Sequence, residues 1–279
     1  MKTKFYSSAL CLVLLLWSGS LFSQTVTPEK VITPIGFDIS QKLIDITPIP
    51  PGYVDQTWKE KVIPNKEGFL EEFNTEAAWK GPDPVLQDFT SSSRSTATID
   101  ENFSGQSNTS GVAPPDTDGD VGISHYMQMV NLSFQIWDKN GNSLYGPALS
   151  STLWNGFTGP WTGTNDGDPI VLYDQYADRW IATQFSLPNY PSGPFYELVA
   201  VSQTNDPTGA WYRYAYQFTN MPDYPKFGVW PDGYYFTINQ FAPPSLGFAG
   251  AGADGAASLL RSARTAFDEV FFRFASQSA

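Results

Sequence analysis

Three observations in the sequence predict an all-β fold, arranged as an incomplete β-propeller. Short alternating strands parted by turn dipeptides fill residues 121 to 241, a 54-residue repeat runs through them, and aromatics make up 15% of a chain that also carries 23 glycines and 22 prolines. Aromatic and β-branched side chains fit a pleated surface, while Gly and Pro punctuate it. The expectation is about two to three four-stranded blades, with an extended N-terminal arm before them and a non-β C-terminal tail after them.

The first element is not part of the fold. Lys2 and Lys4 precede the apolar run Ala9 to Trp17, and the small residues of Ser18 to Ser23 follow, so residues 1–23 read as a secretory signal peptide. That run is shorter than the roughly 20 apolar residues of a membrane helix, and no later stretch approaches that length. Its removal takes away Cys11, the only cysteine, and with it disulfides and thiolate chemistry. Losing the two lysines moves the formal charge from −12 to −14. Such a charge repels nucleic acid and anionic lipid and suits cations, neutral sugars or basic protein patches. The expected setting is therefore secreted or cell-surface, with a glycan or an extracellular protein as partner, no nucleic acid and no membrane span.

Residues 24–110 carry scattered prolines among isolated apolar residues and read as the extended arm and linker. Within them, Gly68 to Trp79 has Phe69, Phe73 and Ala77 at helical spacing, and Ser91 to Thr98 is a linker run.

Residues 111–241 hold the blades. In FQIWDKNGNSLYG the dipeptide Asn140-Gly141 predicts a hairpin with a type I′ turn. Further hairpins turn at Gln175 to Asp178, Asp206 to Ala210 and Pro231 to Gly233. Superimposing HYMQMVN, RWIATQF and YYFTINQ aligns Tyr126, Trp180 and Tyr234 at 54-residue intervals. Four short strands with their loops take roughly 40 to 50 residues, so the period is that of a propeller blade. DTDGD, TNDGDP and MPDYPK then become equivalent loops that enter the innermost strand of successive blades and crowd one mouth of the channel.

Four segments in order, PPDTDGDVGISHYMQMVN, DPIVLYDQYADRW, AVSQTNDPTGAWYRY and DYPKFGVWPDGYY, span residues 114 to 235. They resemble a family of large secreted bacterial proteins with the patterns PPDTxGxVGxxHYxQxVN, DPxVxYDxxAxRW, AVSxTxDPTGxW and DYPKxGV. The resemblance implies a β-propeller at the cell surface or outside the cell and no particular reaction. After Gly252 the pattern is lost. Residues 242–279 read as a helical or low-complexity tail.

The candidate chemistry lies in the mouth loops. Asp116, Asp118 and Asp120 alternate around Gly119, and Asp166 and Asp168 flank Gly167 beside Asn165. Hard cations such as Ca²⁺ take six to eight oxygens, so two such loops on adjacent blades form a candidate Ca²⁺ site, although the spacing is not that of an EF-hand. The weightier reading is turn chemistry, since Asp and Asn close turns on their own backbone. Asp223, Tyr224 and Lys226, with His125, form the candidate ligand-binding set. A lone histidine without a second imidazole or a nucleophile is more readily structural. Asp174, Asp178 and Arg179 are assigned to turn stabilisation and inter-blade pairing. The function expected is a binding or scaffold protein, and the alternative is a propeller glycosidase using paired Asp carboxylates.

Overall fold

The computed structural model describes residues 30–53, 101–231, 233–245, 247–251, 257–260 and 272–274. Residues 1–23, expected to be a signal peptide, the helix expected at Gly68 to Trp79 and the linker expected at Ser91 to Thr98 lie outside them.

Two strands belong to the arm, β1 (Lys30–Ile32) and β2 (Gly36–Ile39). The first sheet is a meander of β3 (Thr117–Val121), β4 (His125–Val130), β5 (Ser133–Asp138) and β6 (Ser143–Leu149). The second runs through β7 (Ile170–Asp174), β8 (Arg179–Ser186), β9 (Phe195–Ser202) and β10 (Trp211–Phe218), and β2 adds to its outer edge. The third begins with β11 (Met221–Trp230) and β12 (Gly233–Ala242). It continues through β13 (Gly247–Ala251) and β14 (Ala257–Leu260), both paired to β12, then β15 (Phe272–Phe274) and finally β1. Pairing within every sheet is antiparallel. The innermost strands sit side by side, β3 against β7 and β7 against β11. This is an incomplete propeller, since a closed ring needs four or more blades.

The 54-residue repeat is a blade repeat. Tyr126, Trp180 and Tyr234 each occupy the second position of the second strand of their sheet, opposite Val121, Tyr173 and Val229 of the innermost strand. Each projects backwards. Trp180 enters the core between the first two blades, with Met127, Met129, Phe134 and Ile136. Tyr234 enters the next, with Ile181, Val199 and Tyr214. Tyr126 meets no preceding sheet among the described residues and lies edge-on to Phe103, beside Trp137. The segment that carries Phe103 packs against this face of the first blade, and Gln106 ties it down by donating its backbone N–H to Gln128 Oε1 at 2.7 Å.

The arm is a belt rather than an appendage. It meets the third blade through β1, the second through β2 and the first through Ile49, whose carbonyl accepts the Leu149 N–H at 2.7 Å. Arg213 on β10 is 2% exposed and grips Asp38 of β2 with two bonds, Nε to Oδ1 at 2.8 Å and Nη2 to Oδ2 at 2.7 Å. Each outer edge, where unpaired N–H groups would face water or another chain, is so engaged by the arm.

Three sequence expectations are corrected. The tail contains no helix among its described residues, and β13, β14 and β15 are strands recruited by pairing to β12 and to one another. Strand formation depends on the partner, which local texture does not display. DTDGD does not simply enter the innermost strand, because Thr117–Val121 is that strand. The Asn140-Gly141 turn is not type I′, since only Gly141 has positive φ. Asp138 Oδ1 accepts the N–H groups of Asn140 and Asn142, closing a three-residue loop with glycine at its left-handed position.

Candidate functional site

Strand register makes Asp118, Ile170 and Lys226 equivalent, because they pair with Met129, Thr183 and Thr237, which repeat at 54 residues. Two positions earlier stand Asp116, Asp168 and Tyr224, all in the left-handed region with φ of 42°, 49° and 50°. The same backbone device thus stands ahead of β3 and β7 and at the bulge inside β11. Asp tolerates this region through local side-chain contacts, but a bulky residue there is an outlier, and such outliers cluster at functional sites.

These three entries line one cleft of about 110 Å³, bounded by Asp116 to Asp118, Asp168 to Ile170, and Tyr224 to Lys226. Tyr224 is 60% exposed, and the Lys226 Nζ lies 3.9 Å from its ring centroid. The cleft is mixed in character, with carboxylates on two blades and an aromatic ring carrying an ammonium on the third.

The acidic residues also hold the blades together. Asp118 and Asp120 lie two apart on β3 and project to the same side, where Asp118 Oδ2 accepts the Val171 N–H at 2.8 Å and Asp120 Oδ2 the Tyr173 N–H at 2.7 Å. Those N–H groups lie on the inner edge of β7. Asp168 Oδ2 repeats the pattern one blade on, accepting the Tyr224 N–H at 3.1 Å. Between the two aspartates, a Cβ on Gly119 would stand 2.7 Å from the Tyr126 hydroxyl, so the position excludes a side chain. Burial raises the Asp118 pKa and Asp120 adds to the rise, while the backbone N–H groups of Val171 and Gly119 and the charge of Lys226 oppose it. Burial, with the Asp118 charge, likewise pushes the Tyr126 hydroxyl up.

Of the residues singled out in the sequence, Asp116, Asp118, Asp168, Tyr224 and Lys226 meet in the cleft. Asp120 faces β7 further along the strand, and Asp166 Oδ2 accepts the Leu187 N–H at 2.7 Å, outside the cleft lining. Asp223 pairs with Asn239 at a bulge in β11 beside the cleft. His125 belongs elsewhere. It starts β4 at the opposite end of the blade, where its Nε2 lies 3.7 Å from Asp206 Oδ1 in the turn between β9 and β10. The alternation of antiparallel strands puts the ends of β3 and β9 at this same rim.

Among the described residues no group of three His, Cys, Asp or Glu side chains converges as a metal site. Asp174 serves the turn and the next blade together: Oδ1 accepts the N–H groups of Tyr176 and Ala177, and Oδ2 accepts the Tyr234 hydroxyl at 2.8 Å.

One group escaped the sequence reading. Glu197 on β9 is fully buried, and burial, opposed by the Thr183 side chain and assisted by the charge of Asp168, holds its pKa well above the ordinary carboxylate range. Its signal was a single acid in the apolar run FYELVAVS.

No protein-family model matches the chain, and no curated protein matches it. Among solved structures it is similar to an exo-β-1,3-galactanase from Clostridium thermocellum, at 14% identity and a TM-score of 0.33, with 55% of this chain and 39% of that one covered. It is also similar to a GH43 endo-arabinanase from Bacillus licheniformis, at 10% identity and a TM-score of 0.30, covering 49% of this chain and 53% of that one. The chain thus spans less than two thirds of either structure. The description as a propeller rests on the strand pairing and blade contacts given above.

Proposed function

We propose that this chain is an exported propeller protein, acting at the cell surface or outside the cell, that binds a glycan at the mouth formed by the starts of β3 and β7 and the bulge of β11. The observation that carries the reading is the meeting, in one small cleft, of Asp118, Asp168, the Lys226 ammonium and the exposed Tyr224 ring. Sugar hydroxyls donate to carboxylates and accept from ammonium groups, and the apolar face of a pyranose stacks on an aromatic ring. The left-handed backbone at Tyr224 supports the same reading, because it holds a bulky ring outward at a position where the other two blades carry aspartate. A glycan array followed by titration calorimetry tests it. The expected result is saturable binding that Tyr224→Ala weakens at least tenfold and His125→Ala, at the far rim, leaves unchanged. Equal loss in both variants, or no bound glycan, removes the reading.

A second reading, glycoside hydrolysis, is favoured by one feature. Asp118 and Asp168 both line the cleft, and burial shifts the Asp118 pKa upward, which sets two carboxyl groups of one site in unequal surroundings. Release of reducing ends that Asp168→Asn abolishes would establish it. Binding without release would leave the first reading in place.

A further inference from the structure

Past the mouth, β11 continues as a row of exposed positions. Lys226, Gly228 and Trp230 alternate with Phe227 and Val229, which pack against the core shared with the second blade, so the three project from the opposite face of the sheet. Trp230 is 64% exposed. Tyr235 stands beside Gly228 in the pairing with β12, and with Trp230 it lines an open hollow of about 400 Å³. Among the described residues, a Cβ built on Gly228 would meet nothing within 4 Å. Lys226 belongs to both places, because it also lines the mouth cleft.

This face lacks the side chains that join one blade to the next. At the positions of Lys226 and Gly228 the first blade carries Asp118 and Asp120, whose carboxylates accept N–H groups of β7. The second carries Ile170 and Leu172, and Leu172 packs against the core it shares with the third. An ammonium accepts no hydrogen bond, and glycine offers neither a carboxylate nor apolar bulk. What the face does offer is two large aromatic rings beside a gap, a surface on which sugar rings stack.

On the reading that the cleft binds a glycan, we propose that the site runs on from it along β11, over Gly228 to Trp230, and takes a chain of neutral sugars rather than a single one. Four residues of strand put Lys226 and Trp230 roughly 13 Å apart, more than one sugar ring spans. The sugars are neutral because Asp116, Asp118 and Asp168 outnumber Lys226 in the cleft and repel a carboxylate.

Titration calorimetry of the full chain with the disaccharides and hexasaccharides of the cello, xylo, manno and malto series tests this. At least one hexasaccharide should bind about tenfold more tightly than its disaccharide, the increment of an added aromatic stack. Trp230→Ala should remove that gain and leave disaccharide binding unchanged. Gly228→Val, which adds a branched side chain where the strand has room for it, should do the same. Tyr224→Ala should weaken both lengths. Equal affinity at both lengths, or a hexasaccharide gain that both β11 variants keep, leaves the cleft as a sugar site and overturns its extension. No binding of any probe removes the cleft reading and the extension together. Tighter binding of hexagalacturonate than of every neutral probe overturns the neutral class. A parent that sediments as a dimer which Trp230→Ala dissociates gives the face to a second copy and overturns the proposal as well.

Discussion

Asp38→Ala removes the carboxylate that fastens the belt to the second blade. Arg213 is 2% exposed and would remain charged in place, and breaking a buried ion pair in this way typically costs about 3–5 kcal/mol. Two features pull the value down. The guanidinium keeps the Leu153 and Asn155 carbonyls, each at 2.9 Å, and the Phe157 ring 5.3 Å away, while the Asp38 side chain is 32% exposed and screened accordingly. The expected loss is therefore about 3 kcal/mol, which lowers the melting temperature by roughly 6–12 °C. Asp38→Asn, which retains one acceptor, should lose about 1–2 kcal/mol. The double variant Asp38→Ala with Arg213→Met should lose less than the sum of the two singles, because it removes the stranded charge. Urea unfolding at neutral pH measures all four. An Asp38→Ala protein within about 0.5 kcal/mol of the parent, or strict additivity in the double variant, would show that the belt carries no structural load.

Tyr234→Phe deletes the hydroxyl that reaches Asp174 across the blade boundary at 2.8 Å, where Asp174 is fully buried, and should cost about 1.5–3 kcal/mol in the same urea assay. Gly122→Ala places a Cβ 2.7 Å from the Trp180 ring, which cannot swing away because its Nε1–H is bonded to the Asn205 carbonyl, so a loss of about 1–3 kcal/mol and an altered tryptophan emission are expected. Burial raises the Asp118 pKa, so the folded form holds this proton more tightly than the unfolded chain does. Its contribution is fully present below the ordinary carboxylate pKa and is lost as pH rises through the folded value. Asp118→Asn should flatten that part of a stability-against-pH curve, and an unchanged curve would contradict the assignment.

The blades were legible because their strands pair with chain neighbours, so the period of two and the turn residues carry the information locally. Tyr126, Trp180 and Tyr234 showed the repeat because each fills the same place against the preceding layer. The belt was not legible. Phe37 and Asp38 find their partners on β10, in a pairing that a four-residue segment rich in neither turn nor strand signals cannot announce. The tail failed for a related reason, since β13 to β15 owe their form to the edge of β12. The cleft was half legible: acid-rich entries named the mouth, but which carboxylates point into it depends on β3 being a strand, whose period of two sends Asp118 and Asp120 towards β7. Glu197 stayed hidden because its burial depends on the blades packing over β9, which a single acid in an apolar run does not display.

The belt also sets an order of assembly. Asp38 and Arg213 are separated by 175 residues, whereas the hairpins of each blade close over short loops. By the scaling of loop-closure entropy, bringing the belt to β10 costs about 2.5 kcal/mol more than closing a ten-residue hairpin. The β2 segment of the belt has no partner until β10 has formed, because it pairs with an edge that the blade must first create. It therefore docks after the main barrier, and its contacts should be absent from the transition state. Asp38→Ala is then expected to leave the folding rate within about twofold of the parent and to speed unfolding by roughly 100-fold, the full effect of about 3 kcal/mol falling on one limb of the chevron. A folding rate that drops in proportion to the lost stability, with unfolding unchanged, would place the belt in the nucleus and reverse this order.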